Sequence, residues 1–137
     1  MAYLLDTNVV SEITSRNPDP KVIAWCEKHA AESYLSCITV GEIRKGIQLM
    51  PAGKRRDELD AWASRLFKEL PKPCLAVDAE VLEIWGGLYA RNQAAGLELD
   101  VLDSFIAATA LRHHLVVVTW NTPDFPSEVE TLNPWLD

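Results

Sequence analysis

Cysteine is scarce in this sequence, and what there is does not pair. Cys26, Cys37 and Cys74 are the only three in 137 residues. An odd, scattered set is no disulfide framework, and as small apolar side chains they suit a reducing, cytoplasmic setting. His29 lies at helical spacing from Cys26, but no second Cys/His pair completes a zinc site. His113 and His114 are adjacent and read as a helix end, where imidazole meets the negative pole of the dipole. Glycine is thin too, and no glycine-rich run precedes a Lys-Ser/Thr pair, which excludes a phosphate-cradling P-loop. No apolar run approaches the roughly 20 residues of a membrane span. The N-terminus lacks the basic and apolar segments of a secretory leader. Positive charge is in deficit: 13 Lys and Arg stand against 20 Asp and Glu, a net charge of -7. That balance argues against indiscriminate nucleic-acid binding. It leaves room for a local basic face, because Arg44, Lys45, Lys54, Arg55, Arg56, Arg65 and Lys68 cluster.

What is present is an alternation of short apolar runs with longer amphipathic ones, the mark of an α/β domain with a mostly parallel sheet and helices on both faces. The length predicts one domain over 1–137, large enough to bury roughly 68% of its unfolded surface without cross-links. Strands are expected at Tyr3–Leu5, Tyr34–Cys37, Cys74–Val77 and Leu115–Thr119, with an edge strand at Val129–Leu132. Helical turns are expected from Asn8 to Thr14. Longer helices follow from Pro20 to His29, Thr39 to Met50, Lys54 to Leu70, Asp78 to Gly96 and Leu102 to His113. Trp25, Trp62 and Trp85 fall on apolar helix faces and read as core or interface.

Ligands of a parallel sheet collect beyond the carboxyl ends of its strands. Asp6 follows the first strand, in YLLDTNVVSE. Glu42 lies one turn past the second, and Asn121 and Asp124 follow the last main one. Asp103 is the only charged residue of VLDSFIAATA, and burying a lone carboxylate costs several kcal/mol unless it is paired or ligates a cation. Each residue has a purely structural reading. Asp6 caps the first helix. Thr39-x-x-Glu42 and Asp100-x-x-Asp103 fit capping boxes. Asp124 makes a turn in NTPDF. Four independent caps need not gather at one sheet edge, yet this topology gathers them. Carboxylates at close range repel. A hard dication relieves this, and an all-oxygen set points to Mg²⁺ or Mn²⁺ rather than zinc. Such an ion activates water for in-line attack on a phosphodiester. Asn8, Thr39 and Thr119 are neutral groups placed to orient water or phosphate.

LLDTNVVSE, SCITVGEIRKGI, LDSFIAATA and VTWNTPDF, in this order and spacing, resemble the PIN-domain ribonucleases. The similarity is greatest to the VapC-type toxins of bacterial type II toxin–antitoxin pairs, including the FitB-like branch, which the ending LNPW also resembles. The resemblance implies a three-layer α/β/α sandwich. It further implies a Mg²⁺- or Mn²⁺-dependent endoribonuclease leaving a 5′-phosphate and a 3′-hydroxyl, commonly a homodimer, neutralised by a cognate antitoxin that blocks the acidic site. Asp6, Glu42 and Asp103 match the family's three core carboxylates, and Asn8 matches the polar residue after the first. Asn121 stands where many relatives carry Asp. Whether Asn121 or Asp124 supplies the fourth ligand, and whether one cation or two bind, stays open at this point. Trp120 stands where relatives often carry Arg.

Two rival readings have their own signatures. A haloacid-dehalogenase-like phosphatase needs Asp-x-Asp after its first strand, and Asn8 occupies the second position here. A non-catalytic PIN-like module that binds RNA or protein has little use for Asp6, Glu42 and Asp103 together.

Overall fold

The computed structural model describes residues 1–136. The chain runs β1 (Tyr3–Leu5), α1 (Thr7–Ile13), α2 (Pro20–His29), a 3-10 turn (Ala30–Glu32), β2 (Ser33–Tyr34) and α3 (Cys37–Gln48). It continues α4 (Lys54–Lys68), α5 (Ala79–Ala94), α6 (Val101–His113), β3 (Val116–Val118), a second 3-10 turn (Thr122–Asp124) and β4 (Thr131–Leu132). The four strands lie in the order β2-β1-β3-β4, and every pairing is parallel.

The two-residue periodicity of the strands divides the core. Tyr3, Leu5, Val116 and Val118 face one way, onto Val9, Val10, Val22, Ile43, Ile47 and Ala63 of α1 to α4. Leu4 and Val117 face the other, onto Val81 and Leu88 of α5 and Ile106 to Ala108 of α6. Three layers follow directly, since a short strand buried on both faces needs helices on both. The sequence expectation of an α/β/α sandwich holds.

Helix starts follow the local chemistry. Asp19 caps α2 through the Lys21 N–H with Pro20 in the first turn, and Asp78 caps α5 through the Val81 N–H. α5 ends just before Gly96, whose φ of 82° is the left-handed conformation that glycine adopts without strain. Trp25 packs edge-on to Tyr3 and stacks on His29, and Trp85 donates to the Ser104 hydroxyl at 2.8 Å. His29 is thus an aromatic neighbour in the core.

Three strand expectations need correction. Tyr34–Cys37 shortens to Ser33–Tyr34, because Ser36 turns the chain by capping α3 through the Ile38 N–H at 3.1 Å. Cys74–Val77 is not a strand. Leu75 makes a single parallel bridge to Ser36, and the neighbouring chain has already entered α3, leaving nothing further to pair with. The edge strand survives only as Thr131–Leu132, parallel to β3.

Three of the clustered basic residues are engaged within the fold, while Lys45, Lys54, Arg65 and Lys68 are exposed. Arg44 of α3 bonds Asp60 at 2.7 Å and Ser64 at 3.1 Å on α4, over the Phe67 ring. Arg55 donates to the Thr14 carbonyl at 2.6 Å, and Arg56 to Gln48 at 2.7 Å. Among the described residues, no helix is long and apolar enough to cross a membrane.

Leu4 is fully buried between layers and Leu97 is 55% exposed. Leu4→Ala is expected to lower unfolding stability by about 3 kcal/mol through lost contacts and a cavity. Leu97→Ala is expected to change it by less than about 0.5 kcal/mol. Urea unfolding measures both.

Candidate functional site

β1 and β3 are neighbours, with β2 and β4 outside them. The chain leaves β1 for one side of the sheet and returns through β3 on the other, so the crevice beyond their carboxyl ends is a topological switch point. Asp6 stands there. Its N–H still donates to the Val118 carbonyl at 2.9 Å, as if β1 ran one residue longer. Its side chain then starts α1, with Oδ1 accepting from the Thr7 N–H at 2.8 Å. The second oxygen faces the crevice side of β3, accepting from the Thr119 hydroxyl at 2.8 Å and the Asn8 Nδ2 at 3.1 Å. Cap and site residue are therefore one and the same. Asp6 is only 4% exposed. Burial is the largest influence on its carboxyl and pushes its pKa up. Hydrogen bonds from Thr119, Thr7 and Asn8 pull it down, the Asp100 charge pushes it up, and the balance is upward.

Thr119 is wholly buried and uses its hydroxyl fully: it donates to Asp6 and accepts from Asn8 Nδ2 at 3.2 Å and the Asn121 N–H at 3.0 Å. Glu42 arrives from α3. Its Oε1 accepts from the Thr7 hydroxyl at 2.6 Å. Thr7 has a single hydroxyl proton, which Glu42 takes, so the Thr39 hydroxyl 3.2 Å away is left to donate to Thr7. The capping-box reading of Glu42 fails, because α3 begins at Cys37 under a Ser36 cap. The corresponding reading of Asp100 holds, its carboxylate accepting from the Asp103 N–H at 3.0 Å.

Asp103 sits in the first turn of α6. Its carboxyl is pushed up to about 7, first by burial and then by the charges of Asp6, Asp100, Glu42 and Asp124. Residues from four segments of the chain therefore act on one carboxyl. Asp124 lies exposed in the 3-10 turn after β3. With Asp100 and Asp103 it lines a cleft of about 580 Å³ floored by Phe125 and Pro126. Among the described residues, no three His, Cys, Asp or Glu side chains close into a ready-made metal cage. Mg²⁺ in any case takes one or two protein carboxylates and keeps several waters. Asp6, Glu42, Asp103 and Asp124 offer oxygen donors only, the type a hard dication takes.

Two participants escape a reading by motif. Thr7 was hidden between Asp6 and Asn8 in LDTN, although a hydroxyl in the first turn of a helix beginning at the strand end was a usable signal. Asp100 was read only as a cap, yet its charge acts on both Asp6 and Asp103.

The raised Asp103 carries a stability consequence in metal-free protein. Unfolded Asp103 ionises near 3.8 and folded Asp103 near 7. As pH rises through that window the unfolded chain loses its proton first, so stability falls, and the loss is complete above the folded value. Asp103→Asn is expected to stabilise the EDTA-treated protein at about pH 8 by on the order of 2 kcal/mol, after allowing for screening at a half-buried site. It is expected to flatten the decline of Tm between pH of about 4 and 7. Thermal melts across pH check this.

The PIN domain family model matches residues 3–126. The VapC ribonuclease Y4jK of Sinorhizobium fredii is 36% identical over 135 residues, covering 96% of each chain. The toxin FitB of Neisseria gonorrhoeae is 36% identical over 137 residues, covering 98% of this chain and 99% of that one. A solved structure of FitAB bound to a DNA fragment superposes with a TM-score of 0.90 at 34% identity, covering 97% of this chain and 95% of that one. The strand-end carboxylate, the parallel sheet and the full-length similarity agree: this chain belongs to the PIN-domain family, in its VapC-type group and on the FitB-like branch.

Proposed function

We propose that this protein is a metal-dependent endoribonuclease, the toxin of a type II toxin–antitoxin pair, that hydrolyses RNA phosphodiester bonds. The observation that carries the reading is the set of carboxylates at the strand ends: Asp6 bonded to Thr119, Glu42 bonded to Thr7, and Asp103 lining one cleft with Asp100 and Asp124. Such an arrangement opposes folding unless something cationic completes it. Names of relatives support the reading: one is called a VapC ribonuclease and another a toxin.

In this reading Asp6, Glu42 and Asp103 hold Mg²⁺ or Mn²⁺, with Asn121 or Asp124 at the outer edge. The ion supplies charge neutralisation and Lewis acidity that makes water nucleophilic at neutral pH. The protein's own groups do the positioning. Thr119 and Asn8 fix the Asp6 carboxylate by two hydrogen bonds to one oxygen, which sets where its other lone pairs point. Thr7 holds Glu42 against the strand ends, and Thr39 completes that hydroxyl chain. In this reading Asp124, which lines the cleft, or Asn121 after β3 supplies a further ligand, and Asn8, Thr39 and Thr119 orient water or phosphate. The cellular partners in this reading are an RNA substrate, a second copy of the chain and a cognate antitoxin, in the cytoplasm.

The test is cleavage of total cellular RNA by purified protein. Fragments are expected with Mg²⁺ or Mn²⁺ and none with EDTA. Asp6→Asn is expected to cut at least about a hundredfold more slowly. Equal cleavage in every lane overturns metal dependence, and no cleavage by wild type in any lane favours a binding module. Thr7→Val, which frees Glu42 without touching a charge, is expected to slow cleavage roughly 10-fold, read as initial rate at saturating metal.

A further inference from the structure

Trp120 follows β3, and its backbone is bonded to Asn8, which also bonds Asp6. Trp120 is 53% exposed, and among the described residues no other Trp, Tyr or Phe is exposed. An exposed indole is ordinarily free to move. Here the main chain is fixed: the Trp120 backbone N–H donates to Asn8 Oδ1 at 3.1 Å, and its backbone carbonyl accepts from Asn133 Nδ2 at 3.4 Å. Its ring meets Trp135 at 76° with centroids 5.1 Å apart. Trp135 is itself fixed, its N–H donating to Asn133 Oδ1 at 2.9 Å and its ring packed on the core. A T-shaped contact engages at most one face of the Trp120 ring. About half of the residue stays open to solvent, with Trp135 as the ring's neighbour.

The link to the chemistry is short. The Asn8 amide that holds the Trp120 backbone with its oxygen holds Asp6 Oδ2 with its nitrogen. Trp120 is therefore one side chain away from the carboxylate that heads the site. Electrostatics at the carboxylates is adverse to a polyanion, since Asp6, Glu42, Asp100 and Asp124 all act on Asp103, with only Lys45 exposed beside Glu42 to offset them. Arg44, Arg55 and Arg56 are engaged between α1, α3 and α4. A π-face answers that difficulty, because it attracts a nucleobase without needing charge and tolerates any base identity.

We propose that Trp120 is a base-stacking platform: a nucleobase beside the scissile phosphate lies on the free face of the ring, anchoring single-stranded RNA across the carboxylates. The proposal rests on the ribonuclease reading and adds how the substrate is held.

The experiment uses full-length protein and a mixed-sequence single-stranded 12-nucleotide RNA, together with a series carrying one abasic site at each position in turn. Binding is followed in EDTA by tryptophan fluorescence, and cleavage in Mg²⁺. Trp120→Ala is expected to raise KM and the RNA dissociation constant roughly 10-fold with little change in kcat. Trp120→Phe, which keeps a smaller ring against Trp135, is expected to fall between. Wild type is expected to lose a comparable factor at one abasic position, and Trp120→Ala to be indifferent to it. Matching KM and matching abasic profiles in wild type and Trp120→Ala, both with wild-type melting temperatures, overturn the proposal while leaving the ribonuclease reading intact. A loss confined to kcat, or a loss accompanied by a lower Tm, also overturns it, in favour of a structural staple for the C-terminal segment. Wild type that neither binds nor cuts the RNA removes the reading beneath it. Wild-type RNA behaviour in Trp120→Ala with weakened capture of a co-expressed antitoxin assigns the ring to a protein contact instead.

Discussion

The parallel pairing of β1 with β3 is the constraint on which the rest depends. Register sets Leu5 beside Val118, so the next residues, Asp6 and Thr119, emerge together at the same edge. Their hydrogen bond joins residues 113 positions apart in sequence. A slip of one residue would turn every strand side chain to the opposite face. Leu4 and Val117 would then confront the α1–α4 layer, and Asp6 would lose Thr119. Apolar packing on two faces therefore fixes the register, and the register fixes the chemistry. The carboxylate pays an electrostatic penalty that the core is strong enough to carry.

Around that pair the site is assembled from helix beginnings. α1 starts on Asp6, α3 brings Glu42 one turn after its Ser36 cap, and α6 starts on Asp100 with Asp103 in its first turn. The amino ends of helices are electropositive, so these are the places in the fold where carboxylates are best tolerated before any cation arrives. The same preference explains why each carboxylate had a believable reading as a mere cap. For Asp6 and Asp100 that reading is correct and incomplete. Capping accounts for one oxygen of Asp6 and leaves the other for the crevice.

Much of this was legible in the residues. Tyr3–Leu5 and the Val-rich run before Thr119 are too short and too β-branched for helices. Pro20, Asp78 and Gly96 mark helix limits by their own backbone chemistry. What misled was Cys74–Val77, where an apolar run followed by a cap looks like a strand from inside the chain. Whether it pairs depends on a neighbour that has already turned into α3, which local pattern does not carry. The site was legible as a set of strand-end carboxylates. It was not legible as a hydrogen-bonded object: Thr7 and Asp100 enter through contacts 35 residues away for the Thr7–Glu42 bond and through charge on Asp103. Arg44, Arg55 and Arg56 show the converse, since clustering along the chain suggests a basic face and the fold engages them in bonds between helices.

Asp6 serves two masters with its two oxygens, and this sets what a substitution there keeps. Asparagine there retains an oxygen for the Thr7 N–H and remains among the preferred residues at a helix start, but its Nδ2 would face the Thr119 hydroxyl and the Asn8 amide that now donate to Oδ2. Alanine forfeits the helix start along with the charge. An amide at this position therefore keeps the helix start and forfeits the tie to β3.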